Sequence, residues 1–522
     1  MLLPEYLRSM AEAFPSEIAY RVVDGAEMSF LEWDTQASRM ARGLVERGIA
    51  PGDRVALHVG VDNALRWMVS YGAIHRAGGV AVPLNPRLAP AEVGHMMQHS
   101  GARGAITDGD LVAQDASCYD GLAVLVDVGV EPSSVERLSP TPVPWEEILS
   151  DDHEYFQVPR SDDDLADILY TSGTTGSPKG VAVRHVNASL IPPMAPSWTG
   201  GGWLHSSPMF TFAGLAFVYN PMKLGLCGIY QPHFDAGRWL EVVEEQKPIA
   251  VFLVPAMAHL LLDHPNFESA DLASIQICAI GSAPLAPFVI ERLQEKMPDA
   301  MVNNNYGMTE AGSVYCITPK GEAVKRPGSV GQPVPPAEVR ITTPDGDELP
   351  IGEVGEVRLK IPGRHREYFG DPESTAKTWI GGWLVTGDLG KVDEDGYLYI
   401  VGRSKDVIIR GGNNIHATDV EHVIVAHDDV QEAAVVGVPH EVLGEDIVAF
   451  VVIKGGSKVN DQQLRLYALE LLADYKVPRQ WYFVEELPRN ATGKVLKTEL
   501  RKLLENDPSE FGDSQLRPGA SV

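Results

Sequence analysis

The sequence is poor in cysteine and in positive charge, and each scarcity excludes a class of protein. Only four cysteines occur among 522 residues, and none has the paired spacing of a metal site. They are predicted to be buried thiols in a reducing compartment. Lysine and arginine number 43 against 71 aspartate and glutamate, which gives a formal net charge of −28. A surface this acidic would repel phosphate backbones, so we do not expect nucleic-acid binding.

The chain also lacks an apolar run long enough to cross a membrane. Its most apolar window, residues 249–262, is too short to span a bilayer and is interrupted by Pro255 and His259. No basic region followed by a long apolar stretch occurs near the N-terminus, so we predict no signal peptide. We therefore expect a cytoplasmic protein without a membrane span, whose length suggests two to four domains.

Strand and helix patterns alternate through most of the chain. Ser29 and Glu32 form a capping box ahead of helically spaced apolar residues. A strand pattern follows at residues 54–59, then a helix pattern at 63–77 and an apolar strand at 80–82. Strand, helix and strand in succession favour layered α/β structure with buried parallel strands.

The later part of the chain has a different pattern. Residues 387–402 consist of short alternating segments separated by turns, which favours antiparallel structure. After Arg403 the sequence restarts with strands and helices of its own. We therefore predict a large domain over residues 1–403 and a small one over residues 404–506. The remaining residues, 507–522, are polar and rich in Gly, Pro and Ser, and we predict a flexible tail there.

A loop rich in glycine and hydroxyl side chains follows a strand pattern at residues 165–170. Glycines allow backbone N–H groups to close on an anion, hydroxyls add donors, and a lysine adds charge. The order differs from a Walker A motif, because Lys179 is followed by Gly180 rather than by serine or threonine. A generic loop of this composition is more often a surface connection, but this ordered string favours a phosphate site. Its residues are Thr171, Ser172, Gly173, Thr174, Thr175, Gly176, Ser177, Pro178, Lys179 and Gly180.

Five motifs in the same order identify the chain as a member of a known family. The loop at residues 171–180 closely resembles the phosphate loop of the adenylate-forming superfamily. This superfamily contains acyl-CoA synthetases, aryl-CoA ligases, luciferases and peptide-synthetase adenylation domains. Four further segments resemble its aromatic-Gly-x-Thr-Glu motif, its ribose-holding motif, its hinge and its C-terminal catalytic loop: residues 304–310, 386–388, 402–406 and 488–494.

The resemblance implies a fold and an activity. The expected fold is α/β, with a large N-terminal domain of layered α/β subdomains that includes a small β-barrel-like part, plus a small mobile C-terminal α+β domain. The expected enzyme is an AMP-forming acid–thiol ligase of the acyl-CoA synthetase type. It would use ATP and Mg²⁺ to convert a carboxylic acid into an acyl-AMP with release of pyrophosphate. Transfer to the thiol of coenzyme A would then give acyl-CoA and AMP.

The resemblance also assigns roles to single residues. Glu310 is the expected Mg²⁺ ligand, and Thr309 and Lys494 act on the phosphate and carboxylate, so these three are the predicted catalytic residues. Tyr306 would stack on adenine and Asp388 would hold the ribose, supported by Arg403. The hinge falls on Lys405, and Gly412 is carried over as a coenzyme A contact. The remaining predicted nucleotide-binding residues are Gly281, Ser282, Ala283, Asn304, Asn305 and Gly307, together with the loop residues from Thr171 to Gly176 and Lys179.

The predicted acid pocket is lined by apolar or small residues and lacks an acidic one. This lining favours a fatty, alicyclic or aromatic acid over an α-amino acid, because an unpaired buried charge is costly. Thr211 stands where many CoA ligases of the family have histidine, which leaves open a carrier-protein phosphopantetheine or another nucleophile as the acceptor. A non-catalytic nucleotide-binding homologue is the alternative from another class. The predicted pocket residues are Phe210, Thr211, Phe212, Gly281, Gly307 and Met308.

Overall fold

The computed structural model describes most of the chain. The described residues are 2–114, 116–129, 140–171, 178–188, 191, 194–313, 316–361, 365–490, 493–505 and 517–518. Six predicted phosphate-loop residues, Ser172, Gly173, Thr174, Thr175, Gly176 and Ser177, lie outside them. Of the predicted tail, only residues 517–518 are described.

The helices begin and end largely where the sequence signals predicted. Ser29 caps the second helix, since its Oγ accepts a hydrogen bond from the Glu32 backbone N–H while the Glu32 carboxylate accepts one from the Ser29 N–H. The predicted helix at residues 63–77 is observed at Ala64–Arg76. The described α-helices are Leu3–Ala13, Phe30–Glu46, Ala64–Arg76, Pro90–Ser100, Gly109–Gln114, Trp145–Ile148, Phe212–Lys223, Ala236–Gln246, Pro255–Leu262, Pro287–Lys296, Glu322–Lys325, Pro372–Thr378, Ala417–Val425, Asp461–Leu471 and Lys497–Glu505.

Two largely parallel sheets form the body of the large domain. The first, called here the nucleotide sheet, has the strand order Met301–Asn305, Ile277–Gly281, Ala250–Leu253, Gly202–His205, Cys227–Tyr230, Ile18–Val22 and Glu27–Ser29. The second has the order Glu367–Tyr368, Lys179–Arg184, Leu165–Thr171, Val80–Pro83, Arg54–His58, Ala102–Thr107, Val124–Asp127 and Val143–Pro144. Buried parallel strands of this kind need helices on both faces, and the helices are found there.

The helix Phe212–Lys223 lies between these two sheets and packs on both. Its residues Val218 and Met222 join the core shared with the helices Phe30–Glu46 and Ala64–Arg76 and with the second sheet. Phe217 instead contacts the nucleotide sheet, where it packs with Phe252 and Ala279. The opposite face of the nucleotide sheet is covered by three further helices, Ala236–Gln246, Pro255–Leu262 and Pro287–Lys296. This arrangement is the predicted layered α/β architecture.

An antiparallel sheet forms the barrel-like part of the large domain. The predicted short segments at residues 387–402 are in fact parts of two longer strands, Trp383–Val392 and Leu398–Arg403. Gly387 has a φ of +71° inside the first of them, which marks a local irregularity within that strand. The other strands of this sheet are Cys316–Ile317, Ser329–Pro333, Glu338–Thr342, Gly355–Lys360 and Trp379–Ile380. A separate two-stranded ladder joins Gly307–Met308 to Gly312–Ser313.

The small domain has its own sheet and core. A hairpin of two long strands, Val430–His440 and Gly444–Ile453, forms its centre. The helices Ala417–Val425 and Asp461–Leu471 pack on the sheet through Val420, Ile424, Leu464 and Ala468. The other strands are Val407–Arg410, Asn413–His416, Gln480–Phe483 and Arg517–Pro518. Strands and helices segregated in this way make an α+β domain, as predicted.

Two further observations bear on the sequence predictions. The four cysteines are free thiols; Cys227 and Cys278 are buried as predicted, whereas Cys118 and Cys316 are partly exposed. Within the described residues, no helix combines the length and the apolar character that crossing a bilayer requires.

Candidate active site

The candidate site lies at the carboxyl ends of the nucleotide-sheet strands, the usual place for a ligand in such a sheet. The strand Ile277–Gly281 runs beside Met301–Asn305, so Gly281 pairs with Asn305. A Cβ at Gly281 would lie 3.0 Å from the Asn305 carbonyl oxygen, which explains the glycine. The next residue, Ser282, has a φ of +75° and turns the chain across this edge. Beside these strand ends, the buried Asn304 donates to the Ser329 carbonyl at 3.4 Å.

Tyr306, Asp388 and Arg403 form a hydrogen-bonded triad next to this edge. Tyr306 Oη donates to Asp388 Oδ2 at 2.5 Å, and Arg403 Nε donates to Asp388 Oδ1 at 2.6 Å. Burial and the Asp388 carboxylate raise the pKa of Tyr306, so the phenol stays protonated and donates. Burial alone would lower the pKa of Arg403, but the same carboxylate raises it above its usual value. The triad therefore presents a buried carboxylate between two donors, and Asp388 is held in one orientation.

Thr309 and Glu310 follow on a turn beside the triad. The carbonyl oxygen of Thr309 accepts from Arg366 Nη1 at 2.8 Å, and Glu310 Oε1 accepts from Tyr368 Oη at 2.9 Å. Lys179, at the end of the phosphate loop, lies with its Nζ 5.0 Å from the centroid of the Tyr368 ring. Sequence reasoning missed Arg366 and Tyr368. Neither belongs to a motif that signals phosphate chemistry, and only the pairing of distant strands brings them here.

Glu310 suits Mg²⁺ better than a metal that needs several protein ligands. Among the described residues, no cluster of three or more His, Cys, Asp or Glu side chains could hold a metal ion. Mg²⁺ commonly uses one or two carboxylates and takes its other ligands from substrate phosphates and water. One carboxylate beside a phosphate loop fits that donor set, so Glu310 would hold the ion together with the nucleotide.

The predicted catalytic lysine comes from the small domain and reaches this site. Its loop is shaped by Asn490, whose Oδ1 accepts from the Lys494 N–H at 2.9 Å, and by Gly493, which has a φ of +80°. A Cβ at Gly493 would lie 4.0 Å from Val254 of the large domain, so the loop packs at the end of the strand Ala250–Leu253. An exposed ion pair between Lys454 and Asp263, at 3.0 Å, also joins the two domains.

The ammonium group of Lys494 is crowded although the residue remains accessible to solvent in the cleft between the domains. Desolvation by the surrounding protein and, after it, repulsion from Arg403 and Lys405 lower the pKa of Lys494 to about 8, although Asp388 and Asp406 oppose this shift. The lysine and the triad therefore act on one another electrostatically. The structure thus brings the predicted catalytic loop to the predicted ribose-binding motif.

The predicted hinge and the predicted coenzyme A contact lie on exposed turns. Lys405 occupies a single 3₁₀ turn, Ser404–Asp406, between the last strand of the large domain and the first strand of the small one. Gly412, with a φ of +83°, lies at the tip of the hairpin that joins Val407–Arg410 to Asn413–His416. Both positions have the exposure that a hinge or a docking loop requires.

Of the predicted pocket residues, Phe210, Thr211 and Phe212 lie at the start of the helix Phe212–Lys223, whereas Gly281, Gly307 and Met308 belong to strands. Thr211 is buried and caps this helix: its Oγ1 accepts from the Gly214 N–H at 3.0 Å and donates to the Pro208 carbonyl at 2.8 Å. Phe212 is the first residue of the helix, and the guanidinium of Arg366 lies 4.8 Å from its ring centroid. Met308 packs at the edge of the barrel-like core, and Phe210 borders a cavity of about 10 Å³ with Trp67 and Tyr230 among its lining residues.

Comparison with known proteins gives the same assignment over most of the chain. Family profiles for "AMP-binding enzyme" and "AMP-binding enzyme C-terminal domain" match residues 7–369 and 419–494. A feruloyl-CoA synthase from Amycolatopsis sp is 33% identical over 486 residues, which are 92% of this chain and 94% of that protein. A long-chain-fatty-acid–CoA ligase from Bacillus subtilis (strain 168) is 33% identical over 540 residues, covering 97% of this chain and 94% of the ligase.

The fold comparison agrees. The crystal structure of ATP-bound MatB from Rhodopseudomonas palustris superposes with a TM-score of 0.83 at 30% identity, covering 97% of this chain and 99% of that one. Both the sequence and the structural similarity extend through the large and small domains. The chain therefore belongs to the AMP-binding, adenylate-forming enzyme family and is of its acyl- or aryl-CoA synthetase type.

Proposed function

We propose that this protein is a cytoplasmic AMP-forming acid–CoA ligase whose structure has the domain orientation used for adenylation. The observation that carries this proposal is the packing of the Lys494 loop against the large domain, where a Cβ at Gly493 would lie 4.0 Å from Val254 and where Arg403 and Asp388 influence the charge of the lysine. A carboxylate and a triphosphate repel one another, so the reaction needs a cation at the point where they meet. The feruloyl-CoA synthase and the long-chain ligase, both similar along nearly their whole lengths, support coenzyme A as the acceptor.

In the first step the acid carboxylate attacks the α-phosphorus of ATP and pyrophosphate leaves. Asp388 accepts from the ribose hydroxyls and Tyr306 packs on adenine, each held by the triad. Lys494 bridges the carboxylate and the α-phosphate, and Thr309 donates to the phosphate. Bound at Glu310, Mg²⁺ would neutralise part of the phosphate charge. Groups held in this way before the substrates arrive would lower the barrier by electrostatic preorganisation.

In the second step the thiol of coenzyme A attacks the acyl carbonyl carbon and AMP leaves. Lys494 blocks the cleft in the adenylation orientation, so the small domain must turn at Lys405 to admit the thiol. Thr211 does not replace the missing histidine as a base, because both hydrogen-bonding directions of its hydroxyl are used in the helix cap. The thiol step therefore depends on the acceptor's own ionisation and on the orientation of the two domains.

The acid that fits this pocket best is a compact aromatic one. On the pocket side of the nucleotide sheet, Phe252 packs against Phe217 with ring centroids 5.0 Å apart, and Trp203 lies 5.3 Å from Phe217. The ring of Phe252 also comes within 3.6 Å of a Cβ built on Gly281, in the strip beside the acid pocket. We infer that these rings, of which Phe217 and Phe252 are buried and Trp203 is partly exposed, close the pocket floor against a long alkyl chain and offer edges and faces to a planar ring.

The first test is mass spectrometry of products from ATP, Mg²⁺ and a pool of fatty and aryl acids, with and without coenzyme A. The expected result is an acyl-AMP without coenzyme A and one aryl-CoA with it. Lys494→Ala should reduce acyl-AMP formation by orders of magnitude and leave thioester formation from supplied acyl-AMP largely intact. Acyl-AMP that coenzyme A never captures would instead support a carrier-protein or another acceptor.

The second test concerns the pocket floor. Phe252→Leu replaces the ring with a smaller side chain and makes the pocket deeper. For acids one or two carbons longer than the best acid, kcat/KM should therefore rise about tenfold relative to that acid. Phe267→Leu is the control, because Phe267 is also buried but packs in the core on the opposite face of the nucleotide sheet. A wild-type enzyme that prefers long-chain acids, or a Phe252→Leu variant with unchanged selectivity, would contradict the compact pocket.

A further inference from the structure

One short segment of the second sheet contacts three of the proposed phosphate-handling residues. It comprises Arg366 and the strand Glu367–Tyr368, and it is called here the brace segment. Arg366 and Tyr368 are two residues apart, so they project from the same face of the chain. The first contacts Thr309 and the second contacts Glu310 and Lys179.

Tyr368 lies between the acidic and the basic member of the phosphate site. Its hydroxyl donates to Glu310 Oε1 at 2.9 Å, and the Lys179 ammonium lies 5.0 Å from its ring centroid. Lys179 Nζ is further fixed by a hydrogen bond of 2.7 Å to Ser374 Oγ. One aromatic ring therefore sets the separation of a carboxylate and an ammonium group that would otherwise attract one another directly.

The local fold holds Tyr368 rigidly. Its strand pairs antiparallel with Lys179–Arg184, with Tyr368 opposite Val181, and the Phe369 N–H donates to the Gly180 carbonyl at 2.7 Å. The Tyr368 N–H donates to Thr375 Oγ1 at 2.9 Å, which ties the strand to the following helix, Pro372–Thr378. The side chain is thus oriented by backbone contacts on both sides.

Arg366 fixes the backbone that carries the carboxylate. It is almost fully buried, at 4% exposure, and donates to the carbonyl oxygens of Thr309 at 2.8 Å and Asn187 at 2.5 Å. With the backbone of Thr309 anchored by Arg366 and the side chain of Glu310 anchored by Tyr368, the turn has one orientation toward the nucleotide. Mutation of a group that orients a metal ligand in this way typically weakens metal binding about 10- to 100-fold.

We propose that Tyr368 is a positioning residue for adenylation, holding the Glu310 carboxylate in the orientation that binds the divalent cation and keeping Lys179 apart from it. This inference rests on the proposed function, because it assigns Glu310 to the cation that accompanies ATP. It predicts an effect on cation binding and adenylation, with none on the thioester step.

The test is Tyr368→Phe, which removes the hydroxyl and keeps the ring under Lys179. The control is Tyr399→Phe, because Tyr399 also donates to a carboxylate, Asp393 Oδ2 at 3.1 Å, in the same domain but outside the site. Mn²⁺ is titrated into each protein with a non-hydrolysable ATP analogue, and free Mn²⁺ is followed by electron paramagnetic resonance. Tyr368→Phe should bind Mn²⁺ about tenfold more weakly, and the control should match the wild type.

Activity gives the second measurement. The Mg²⁺ concentration for half-maximal adenylation should rise about tenfold in Tyr368→Phe, while thioester formation from supplied acyl-AMP should be unchanged. Unaltered Mn²⁺ affinity, or a loss that is equal at all Mg²⁺ concentrations and in both half-reactions, would overturn the positioning role. Both outcomes require a wild-type enzyme that forms acyl-AMP. If the wild type forms no acyl-AMP from any acid, the proposed function itself is contradicted.

Discussion

Asp388 and Arg403 lie directly opposite one another in neighbouring antiparallel strands, and Arg403 Nε is 2.6 Å from Asp388 Oδ1. Arg403 is also the last residue before the turn Ser404–Asp406 that leads into the small domain. The pair proposed to hold the ribose is therefore two residues from the proposed hinge, Lys405. Because Arg403 contacts Asp388 and directly precedes the turn, we expect nucleotide binding and the orientation of the small domain to affect one another.

Removing the charge of Asp388 should weaken nucleotide binding. In Asp388→Asn the Arg403 guanidinium loses its anionic partner and the ribose loses a charged acceptor. Hydrogen bonds to charged groups contribute about 1.5–3 kcal/mol, so affinity for AMP, measured by calorimetry, should fall about 10- to 100-fold.

Asp393→Asn is the matched control for this change. Asp393 also accepts from an arginine and a tyrosine, Arg326 at 2.9 Å and Tyr399 at 3.1 Å, in the same domain. Because that triad lies outside the proposed nucleotide site, its variant should bind AMP as the wild type does. Equal losses in the two variants would mean that the effect is one of general stability.

The pH dependence of adenylation should report Lys494. The lysine is charged below its pKa, which desolvation lowers to about 8, so its charged fraction falls as pH rises through 8. Since kcat/KM reflects the free enzyme, kcat/KM for ATP should decline above about pH 8. The decline of kcat should come at higher pH, because bound phosphates favour the ammonium form.

Lys494→Arg separates this lysine from other titrating groups. Arginine stays charged across the range, so the variant, whatever its absolute rate, should lose the decline of kcat/KM near pH 8. Pyrophosphate release measured against pH serves for both proteins. If the variant keeps the same decline, a group other than Lys494 is responsible.

The sequence predicted the elements better than the contacts between them. The capping box of Ser29 and Glu32 is confirmed, and the strand predicted at residues 54–59 is observed at Arg54–His58. Both depend on signals within a few residues. The segment predicted from residue 387 missed the start of the strand Trp383–Val392, because the pairing of that strand with Gly355–Lys360 has no local signal.

In the candidate site, too, local motifs were predictable from the sequence and contacts between distant elements were not. Motifs identified Asp388, Glu310 and Lys494, because each is part of a short ordered string. They could not identify Tyr368, whose contact with Lys179 depends on the pairing of strands that are almost 190 residues apart in the chain. The motifs also could not show that Thr211, which stands where many relatives have histidine, caps a helix.

That task of Thr211 is measurable as stability. Thr211→Ala removes the acceptor for the Gly214 N–H and should lower the free energy of unfolding by about 1 kcal/mol. Thr211→Ser keeps the hydroxyl and should cost much less. Urea denaturation compares the two variants with the wild type. If alanine and serine destabilise equally, the cap contributes nothing and the hydroxyl is available for another role.

The hinge should separate the two half-reactions. Lys405 lies in a 3₁₀ turn, whose φ of about −50 to −70° proline can adopt, so Lys405→Pro is compatible with the observed orientation. It blocks the change of φ that a rotation at this residue needs. Adenylation, measured as acyl-AMP formation, should therefore survive, while thioester formation from supplied acyl-AMP should fail. Lys405→Ala, which removes the charge and leaves the backbone free, should retain both half-reactions. Normal acyl-CoA production by the proline variant would show that the small domain does not turn at Lys405.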